Sequence, residues 1–244
     1  KRLSLERAEV ERIVLQTPAA RRFIRPYGGT QEMLSGVHRW CVWIDESDVH
    51  AALALESLKE VVNSCRVYRE GAGRDARKAA RRPYAFCYST FENRNFIHIG
   101  NTIGNTLPFV PADLRAAGYV SNHNAFTIYG ARLDAFAIIV STLHRVWADT
   151  IAGRLGNGTR YGNTVVYNTF PVPPLTEKNK ADLTRCAEDI LLAREHHFPA
   201  TIADLYDPEK MPADLRAAHD RNDEVLERIY IGRRFKNDTE RLEK

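Results

Sequence analysis

The first third of the chain alternates between strand-like and helix-like apolar spacing. Residues 37–44 alternate well enough to predict a strand, with Trp40 and Val42 on one face and Cys41 and Trp43 on the other. From residue 49 to about 68, apolar side chains recur every three or four positions, and Asp48 stands where a helix N-cap is expected. This region therefore predicts a strand followed by an amphipathic helix.

The middle of the chain predicts several strands and then one long helix. Aromatic and β-branched residues, separated by Gly, Asn and Pro, predict strands at 84–91, 96–99 and 119–129. Apolar residues at helical spacing predict a helix over 134–152, and Gly153 is a typical residue for its C-terminal end.

The last part of the chain has a helical pattern. Thr176 is a good cap for one helix, and Pro212 fits the first turn of another. Three prolines within residues 170–174 exclude a helix or a central strand and favour an extended connection. We therefore predict two domains, residues 1–174 and 175–244. The fold class is α+β, a mixed β-sheet domain with packed helices followed by a small C-terminal helical segment.

The distribution of charge separates the same two parts. Residues 1–174 contain 22 Lys and Arg against 15 Asp and Glu, whereas residues 175–244 contain 13 against 16. The densest positive stretch, residues 66–94, has eight basic residues and three acidic ones. The first part is thus the part expected to meet a polyanion. The longest apolar run, residues 135–140, is too short to span a bilayer, so no membrane partner is expected.

Familiar catalytic motifs are absent from the sequence. It contains no phosphate-binding glycine loop, no G-x-S-x-G, no H-E-x-x-H and no dinucleotide-binding turn. Its eight histidines have no metal-ligand spacing apart from one adjacent pair. A scattered hydrolase site, with His123 or His144 as base and Asp134 or Asp149 as its partner, is one alternative function. A protein-interaction scaffold without a nucleic-acid role is another.

One segment contains side chains of the types that can read bases. Residues 153–163 contain four glycines, two arginines and two asparagines between a predicted helix and a short apolar run. Arginine can grip the O6 and N7 atoms of guanine, and asparagine can pair with adenine, in the major groove. By composition alone the segment is more typical of a plain surface turn.

Several ordered motifs resemble one known family. They are GRLGNGTRYGNTVVYNTFPVP at 153–173, RFIRPY at 22–27, RWCVW at 39–43, YVSN at 119–122, and the residues Ala203–Pro208, Met211, Pro212 and Asn222–Asp223 of the last helices. Together they resemble the target recognition domain and C-terminal segment of MmeI-like enzymes. These are Type IIL restriction-modification proteins that fuse an adenine methyltransferase to an endonuclease.

The resemblance implies a module that recognises double-stranded DNA, next to an upstream methyltransferase domain of the same chain. In that family the methyltransferase domain methylates adenine N6 with S-adenosylmethionine. Neither its glycine-rich cofactor motif nor its N-P-P-[FYW] motif occurs in this sequence. We therefore expect these residues to bind DNA without catalysis or a cofactor of their own. The parent protein is expected in the cytoplasm, as an adenine DNA methyltransferase with or without endonuclease activity.

The resemblance also assigns residues to roles. Base-reading positions are His123, Asn124, Gly156, Gly158, Arg160 and, with a longer spacing than in the family, Glu92. Contacts to the DNA backbone are expected from Arg154, Tyr161, Asn163, Arg74, Arg77, Lys78, Arg81 and Arg82. The two glycines depart from the long side chains common in the family, which puts side-chain reading at those positions in question.

Overall fold

Ten strands and eleven α-helices follow one another in the computed structural model, which describes residues 2–244. Short 3-10 helices lie at Pro18–Phe23 and Glu46–Asp48, and a π-helical turn at Asn163–Tyr167. The strands and helices, in chain order, are β1 (Ser4–Leu5), α1 (Arg7–Gln16), β2 (Ile24–Gly28), α2 (Thr30–Ser35), β3 (Arg39–Val42), α3 (Val49–Leu53), α4 (Glu56–Glu70), α5 (Arg74–Ala79), β4 (Phe96–Gly100), β5 (Thr102–Ile103), β6 (Ala112–Arg115), β7 (Val120–Ser121), β8 (Ala125–Tyr129), α6 (Leu133–Ile139), α7 (Thr142–Ile151), β9 (Gly153–Leu155), β10 (Gly158–Arg160), α8 (Glu177–His196), α9 (Ile202–Leu205), α10 (Ala213–Ile231) and α11 (Asp238–Glu243).

The chain forms two compact units, each made from separate stretches of sequence. Unit one consists of residues 1–28, 37–93 and 117–122. Unit two consists of residues 29–36, 94–116 and 123–244.

Unit one contains a four-stranded sheet in the order β1-β3-β2-β7. The pairs β1–β3 and β2–β3 are antiparallel, and β2 pairs with β7 in parallel. Its core is a cluster of buried apolar side chains from strands and helices, among them Leu3, Ile13, Val42, Leu58 and Val62. Helices α1 and α4 each contribute one apolar stripe to this core, as amphipathic helices do.

Unit two contains two three-stranded sheets, β6-β4-β8 and β5-β10-β9, together with the C-terminal helices. All pairs within these sheets are antiparallel. One buried cluster joins Ile97 of β4 and Phe136 of α6 to Leu183 of α8 and Leu215 of α10. The helices after residue 174 thus share a core with strands that precede it. The two-domain division of the chain stays a prediction.

The predicted α+β class is confirmed, and so are several elements. Strands form at the predicted positions around residues 40 and 97. Thr176 caps α8 by accepting a hydrogen bond from the Asn179 backbone N–H at 3.1 Å, and α10 follows Pro212 directly. None of the helices within residues 2–244 combines the length and apolar character needed to cross a membrane.

Three predicted elements are interrupted in the structure. The helix predicted over 134–152 is two helices, because buried Ser141 caps α7 by accepting from the His144 backbone N–H. Gly153 does not end that helix but begins β9. The helix predicted from residue 49 breaks between α3 and α4. The strand predicted over 119–129 is two strands in different sheets.

The strand predicted over 84–91 is wrong. This stretch has no regular structure, and its two phenylalanines pack on rings of unit one instead of alternating along a strand. Phe86 stacks on Tyr27 and Trp43, with ring centroids 5.6 and 5.9 Å apart, and Phe91 lies 4.5 Å from Trp43. Aromatic residues are enriched in strands because they pack well, and here tertiary ring contacts take that role.

Strand β10 approaches β5 closely at Gly158. A Cβ atom at this position would lie 3.0 Å from the Ile103 carbonyl oxygen and 3.2 Å from the Thr102 Cγ2 atom. The missing side chain thus permits the pairing of β10 with β5. A glycine is required here for close approach of two backbones.

We predict that Gly158→Ala destabilises the protein by about 1–3 kcal/mol, because the added methyl group must push a backbone oxygen away. Urea unfolding measures the change. The matched control is Gly153→Ala on the neighbouring strand, where a Cβ atom meets nothing within 4 Å. The control should change stability by less than about 0.5 kcal/mol. Equal effects of the two substitutions would contradict the packing role of Gly158.

Buried histidines make stability depend on pH. Burial lowers the pKa of His98 and of His144 to about 3, and lowers that of His219 as well. The unfolded chain then binds more protons below pH 6.5 than the folded chain does, so stability falls as pH falls. Burial acts oppositely on Asp223, whose pKa rises to about 6. Its protonation in the folded protein offsets part of the loss between about pH 6 and 4.

We therefore predict that the free energy of unfolding decreases between pH 7 and pH 5, by roughly 2 kcal/mol for each of His98 and His144. Unfolding in urea at several pH values measures the slope. In His144→Gln the decrease in the free energy of unfolding between pH 7 and pH 5 should be smaller by roughly 2 kcal/mol, the contribution of one histidine. An unchanged slope would show that His144 does not titrate as inferred.

Candidate nucleic-acid interface

The β9–β10 hairpin carries most of the predicted reading positions in unit two. Its outer strand is β9, and β10 lies between β9 and β5. Arg160 is exposed and lies in register with Thr102 of β5 and Gly153 of β9, while the preceding Thr159 is fully buried. Because successive side chains of a strand point to opposite faces, the burial of Thr159 directs Arg160 outward.

Partly buried polar bonds anchor this hairpin to helix α7. The Thr159 hydroxyl donates to Asp149 Oδ1 at 2.5 Å and accepts from Arg154 Nη1 at 3.0 Å. Asp149 Oδ2 in turn pairs with Arg145 Nε at 3.2 Å. Two helix side chains and two hairpin side chains thus form one network. Such a network fixes the position of the hairpin relative to the core of unit two.

A second polar cluster holds the backbone at His123 and Asn124. Asn101 donates from Nδ2 to the His123 carbonyl oxygen at 3.4 Å. The Thr30 hydroxyl accepts from the Asn101 backbone N–H at 3.1 Å and also lies in contact with the Asn124 carbonyl oxygen. His123 and Asn124 are themselves exposed. Asn101 and Thr30 therefore present the two predicted readers to solvent.

The hydrogen-bond network of the hairpin and the polar cluster around Asn101 are connected by adjacent residues of the chain. Asn101, which holds His123, is followed directly by Thr102, the register partner of Arg160. The structure therefore brings three predicted base readers of unit two, His123, Asn124 and Arg160, into one neighbourhood. Sequence reasoning missed Asn101. The signal present was a Gly-Asn pair at the end of a predicted strand, which marks a turn.

The two hairpin glycines serve the backbone. Gly156 adopts φ +58°, the left-handed conformation of a tight turn, and Gly158 is buried against β5. Neither offers a side chain to a base edge. The resemblance would place long side chains at both positions. At Gly156 such a residue would conflict with the left-handed turn, and at Gly158 it would conflict with the pairing of β10 and β5.

Arg154 and Asn163 of the predicted phosphate contacts are exposed. Tyr161 requires a correction, since it is one of the most buried side chains, with 1% exposure, and its hydroxyl bonds to His144 Nε2 at 2.9 Å. Burial also raises the pKa of Tyr161. A tyrosine can present its ring to a core and its hydroxyl to a buried partner, and sequence alone does not separate this use from a surface contact.

The basic run lies in unit one, on and after the short helix α5. Glu92 is exposed in the same unit. The predicted backbone contacts of this run are all exposed: Arg74, Arg77, Lys78, Arg81 and Arg82.

A buried arginine fixes the course of this basic run. The Arg69 guanidinium donates to the carbonyl oxygens of Ala79, Arg82 and Ala85 at 2.8–3.0 Å. Arg82 forms an ion pair with exposed Glu46, whose pKa is lowered by hydrogen bonds from Tyr84 and Arg82. Because Arg82 already has an acidic partner, its charge is less available to a phosphate than that of its neighbours.

His144 is not placed to act as the base of the alternative hydrolase site. His144 is buried and bonds to a tyrosine, and its pKa is lowered to about 3, so it stays neutral and enclosed near neutral pH. Asp149 is engaged by Thr159 and Arg145, and buried Asp134 pairs with Arg132 at 3.2 Å. A catalytic histidine needs a carboxylate that accepts a hydrogen bond from its ring. Neither Asp134 nor Asp149 forms this bond with His144.

Within residues 2–244, one group of side chains has the spacing of metal ligands. It consists of His196, His197 and Asp214, whose ligand atoms lie within 4.8 Å of one another on α8, its C-cap and α10. His197 Nε2 lies 2.8 Å from Asp214 Oδ1, an ordinary hydrogen bond. These exposed or half-buried groups lie outside the hairpin and are accounted for by their mutual bonds.

Known proteins share both the sequence and the fold. DNA methyltransferase A of Bacillus subtilis (strain 168) is 30% identical over 223 residues, 91% of this chain and 25% of its own. A solved structure of the Type IIL restriction-modification enzyme MmeI in complex with DNA matches with a TM-score of 0.92 and 25% identity. The match covers 99% of this chain and 32% of the chain of that structure. The chain thus spans about a quarter to a third of the length of these relatives.

Family models divide the chain without a gap. Residues 1–174 match the model described as MmeI, target recognition domain, and residues 175–244 match MmeI, C-terminal domain. The chain therefore belongs to the MmeI family, as its target recognition domain followed by its C-terminal domain.

Proposed function

We propose that this chain is the module that recognises a specific double-stranded DNA sequence within a larger restriction-modification enzyme, reading bases from the major groove. One observation carries the proposal. An exposed arginine on a β-hairpin, Arg160, lies in register beside the residue that follows Asn101, and Asn101 presents His123 and Asn124. A two-stranded β-ribbon fits the major groove, and Arg and Asn have the donor patterns that distinguish guanine and adenine there. The DNA-bound structure of MmeI supports the same role.

The parent protein that we propose is an S-adenosylmethionine-dependent adenine N6 methyltransferase of the cytoplasm, with or without endonuclease activity. A relative named as a DNA methyltransferase supports this, although the present chain spans only a quarter of it. The methyltransferase domain of the same chain would be its partner. S-adenosylmethionine would bind that domain, since we assign no cofactor or reaction to residues 1–244.

The recognised sequence can be obtained by selecting duplexes from a randomised library with this chain. Enrichment of one motif is expected. Recovery of no motif over repeated rounds would contradict sequence-specific recognition.

We predict that Arg160→Ala weakens binding to the selected duplex by about 1–3 kcal/mol and relaxes preference at one base pair, because a bidentate contact to guanine is lost. Fluorescence anisotropy on the selected and scrambled duplexes measures both effects. Arg185→Ala, which removes another exposed arginine of unit two, is the control and should preserve the preference. Equal losses on both duplexes for Arg160→Ala would exclude base reading by this residue.

We predict that Arg81→Ala weakens binding to every sequence alike and reduces the slope of log affinity against log salt by about one unit, the signature of one lost phosphate contact. Arg81 forms no ion pair with any described residue, so its charge is available. Arg82→Ala is the matched control one residue away, and its smaller effect is expected because Glu46 already neutralises Arg82. A larger effect for Arg82 than for Arg81 would contradict this assignment.

A further inference from the structure

A polar groove of about 470 Å³ lies between helix α7 and the β9–β10 hairpin of unit two. We propose that this groove binds a phosphate group of the DNA backbone and so sets the position of the reading hairpin on the duplex. Its lining is Asn105, Arg145, Asp149, Arg154, Gly156 and Asn157.

The charges of the groove favour an anion. Two guanidinium groups, of Arg145 and Arg154, face a single carboxylate, that of Asp149, which leaves one net positive charge. Burial lowers the pKa of Arg145, the Asp149 carboxylate raises it, and Arg154 lowers it by a smaller amount than Asp149 raises it. The net positive charge of the three side chains favours an anion in the groove.

Arg145 has a hydrogen-bond donor that no other group of the protein uses. Its side chain is 9% exposed, and only Nε is paired, with Asp149 at 3.2 Å. The Nη1 atom is buried and has no hydrogen-bond partner in the protein. A buried unsatisfied donor is costly, and more so when it is charged, so such groups are expected to serve a ligand or a mechanism. Arginine matches phosphate well, because its planar fork can donate two parallel hydrogen bonds to two oxygens.

The position of Gly156 keeps this groove accessible. A Cβ atom at Gly156 would meet nothing within 4 Å, so the turn adds no bulk to the lining. The amides of Asn105 and Asn157, both exposed, add neutral donors to the two guanidinium groups. Several donors around one net positive charge suit a phosphodiester better than a base edge, which presents a mixed pattern of donors and acceptors.

The site also couples phosphate binding to the hairpin. Asp149 holds Arg145 with one oxygen and the Thr159 hydroxyl with the other, and Thr159 directly precedes Arg160 on β10. A phosphate held by Arg145 and Arg154 would therefore fix the DNA backbone relative to the proposed reader. Arg145 would act as a phosphate contact, and Asp149 as a positioning residue. The inference rests on the proposed function only for the identity of the molecule that carries the phosphate.

The first experiment tests the groove without DNA. Inorganic phosphate is titrated into the chain while the side-chain Nε–H resonances of the arginines are followed by ¹⁵N NMR. We expect saturable shifts of Arg145 and Arg154, unchanged in Arg185→Gln and lost for Arg145 in Arg154→Gln. Chloride at equal ionic strength should not reproduce them. Absence of a saturable shift with phosphate would overturn the proposal.

The second experiment tests the groove with DNA. Arg154→Gln should lower affinity for the selected and the scrambled duplex by the same factor, about three- to tenfold, and reduce the salt slope by about one unit. Arg154→Lys, which keeps the charge, should restore the slope and part of the affinity. Arg145→Lys gives a second variant for the buried position, and circular dichroism checks that each variant is folded.

The outcomes separate this proposal from the proposed function. If Arg154→Gln weakens only the selected duplex, the groove reads a base and the phosphate assignment is wrong. If the unsubstituted chain fails to prefer the selected duplex, sequence recognition is wrong. In that case, an equal loss of affinity for both duplexes in Arg154→Gln, together with the NMR shifts caused by phosphate, would still support phosphate binding in the groove.

Discussion

The hydrogen bond between Thr159 and Asp149 is the contact on which the candidate interface depends. Thr159 is fully buried, and its hydroxyl reaches the helix carboxylate at 2.5 Å. Because strand side chains alternate, the inward position of Thr159 makes Arg160 point outward. The same carboxylate orients Arg145 in the polar groove. One hydrogen bond thus links the helix to the hairpin that carries the proposed reader and to the proposed phosphate site.

Two arginines in the protein illustrate the difference between a structural and an available guanidinium. Arg69 is buried and its nitrogens donate to three backbone carbonyl oxygens, which stabilises the basic run of unit one. Arg145 is equally buried but leaves one nitrogen without a partner in the protein. Burial alone does not indicate function for an arginine, whereas burial with unused donors does, because the desolvation of the charge is then only partly offset.

The glycines of the hairpin limit how this recognition surface can vary. Gly156 is required by a left-handed turn conformation, and Gly158 by the distance to the neighbouring strand. Base preference in this module is therefore expected to depend on side chains around the hairpin rather than on the two glycine positions. In the proposed function, the backbone of the hairpin supplies the shape, and the exposed side chains of Arg160 and His123 supply the contacts to bases.

The sequence by itself determined the α+β class, the helix cap at Thr176, the start of a helix at Pro212, the concentration of positive charge before residue 174 and the family motifs. These features depend on local propensities, capping and composition, which act over a few residues. Tertiary structure decided the burial of Tyr161, the break of the long helix at Ser141, the loss of the strand over 84–91 and the pairing of Asp149 with Thr159. Each of these depends on which distant side chains become neighbours, because burial and buried hydrogen bonds outweigh local preference once a core forms.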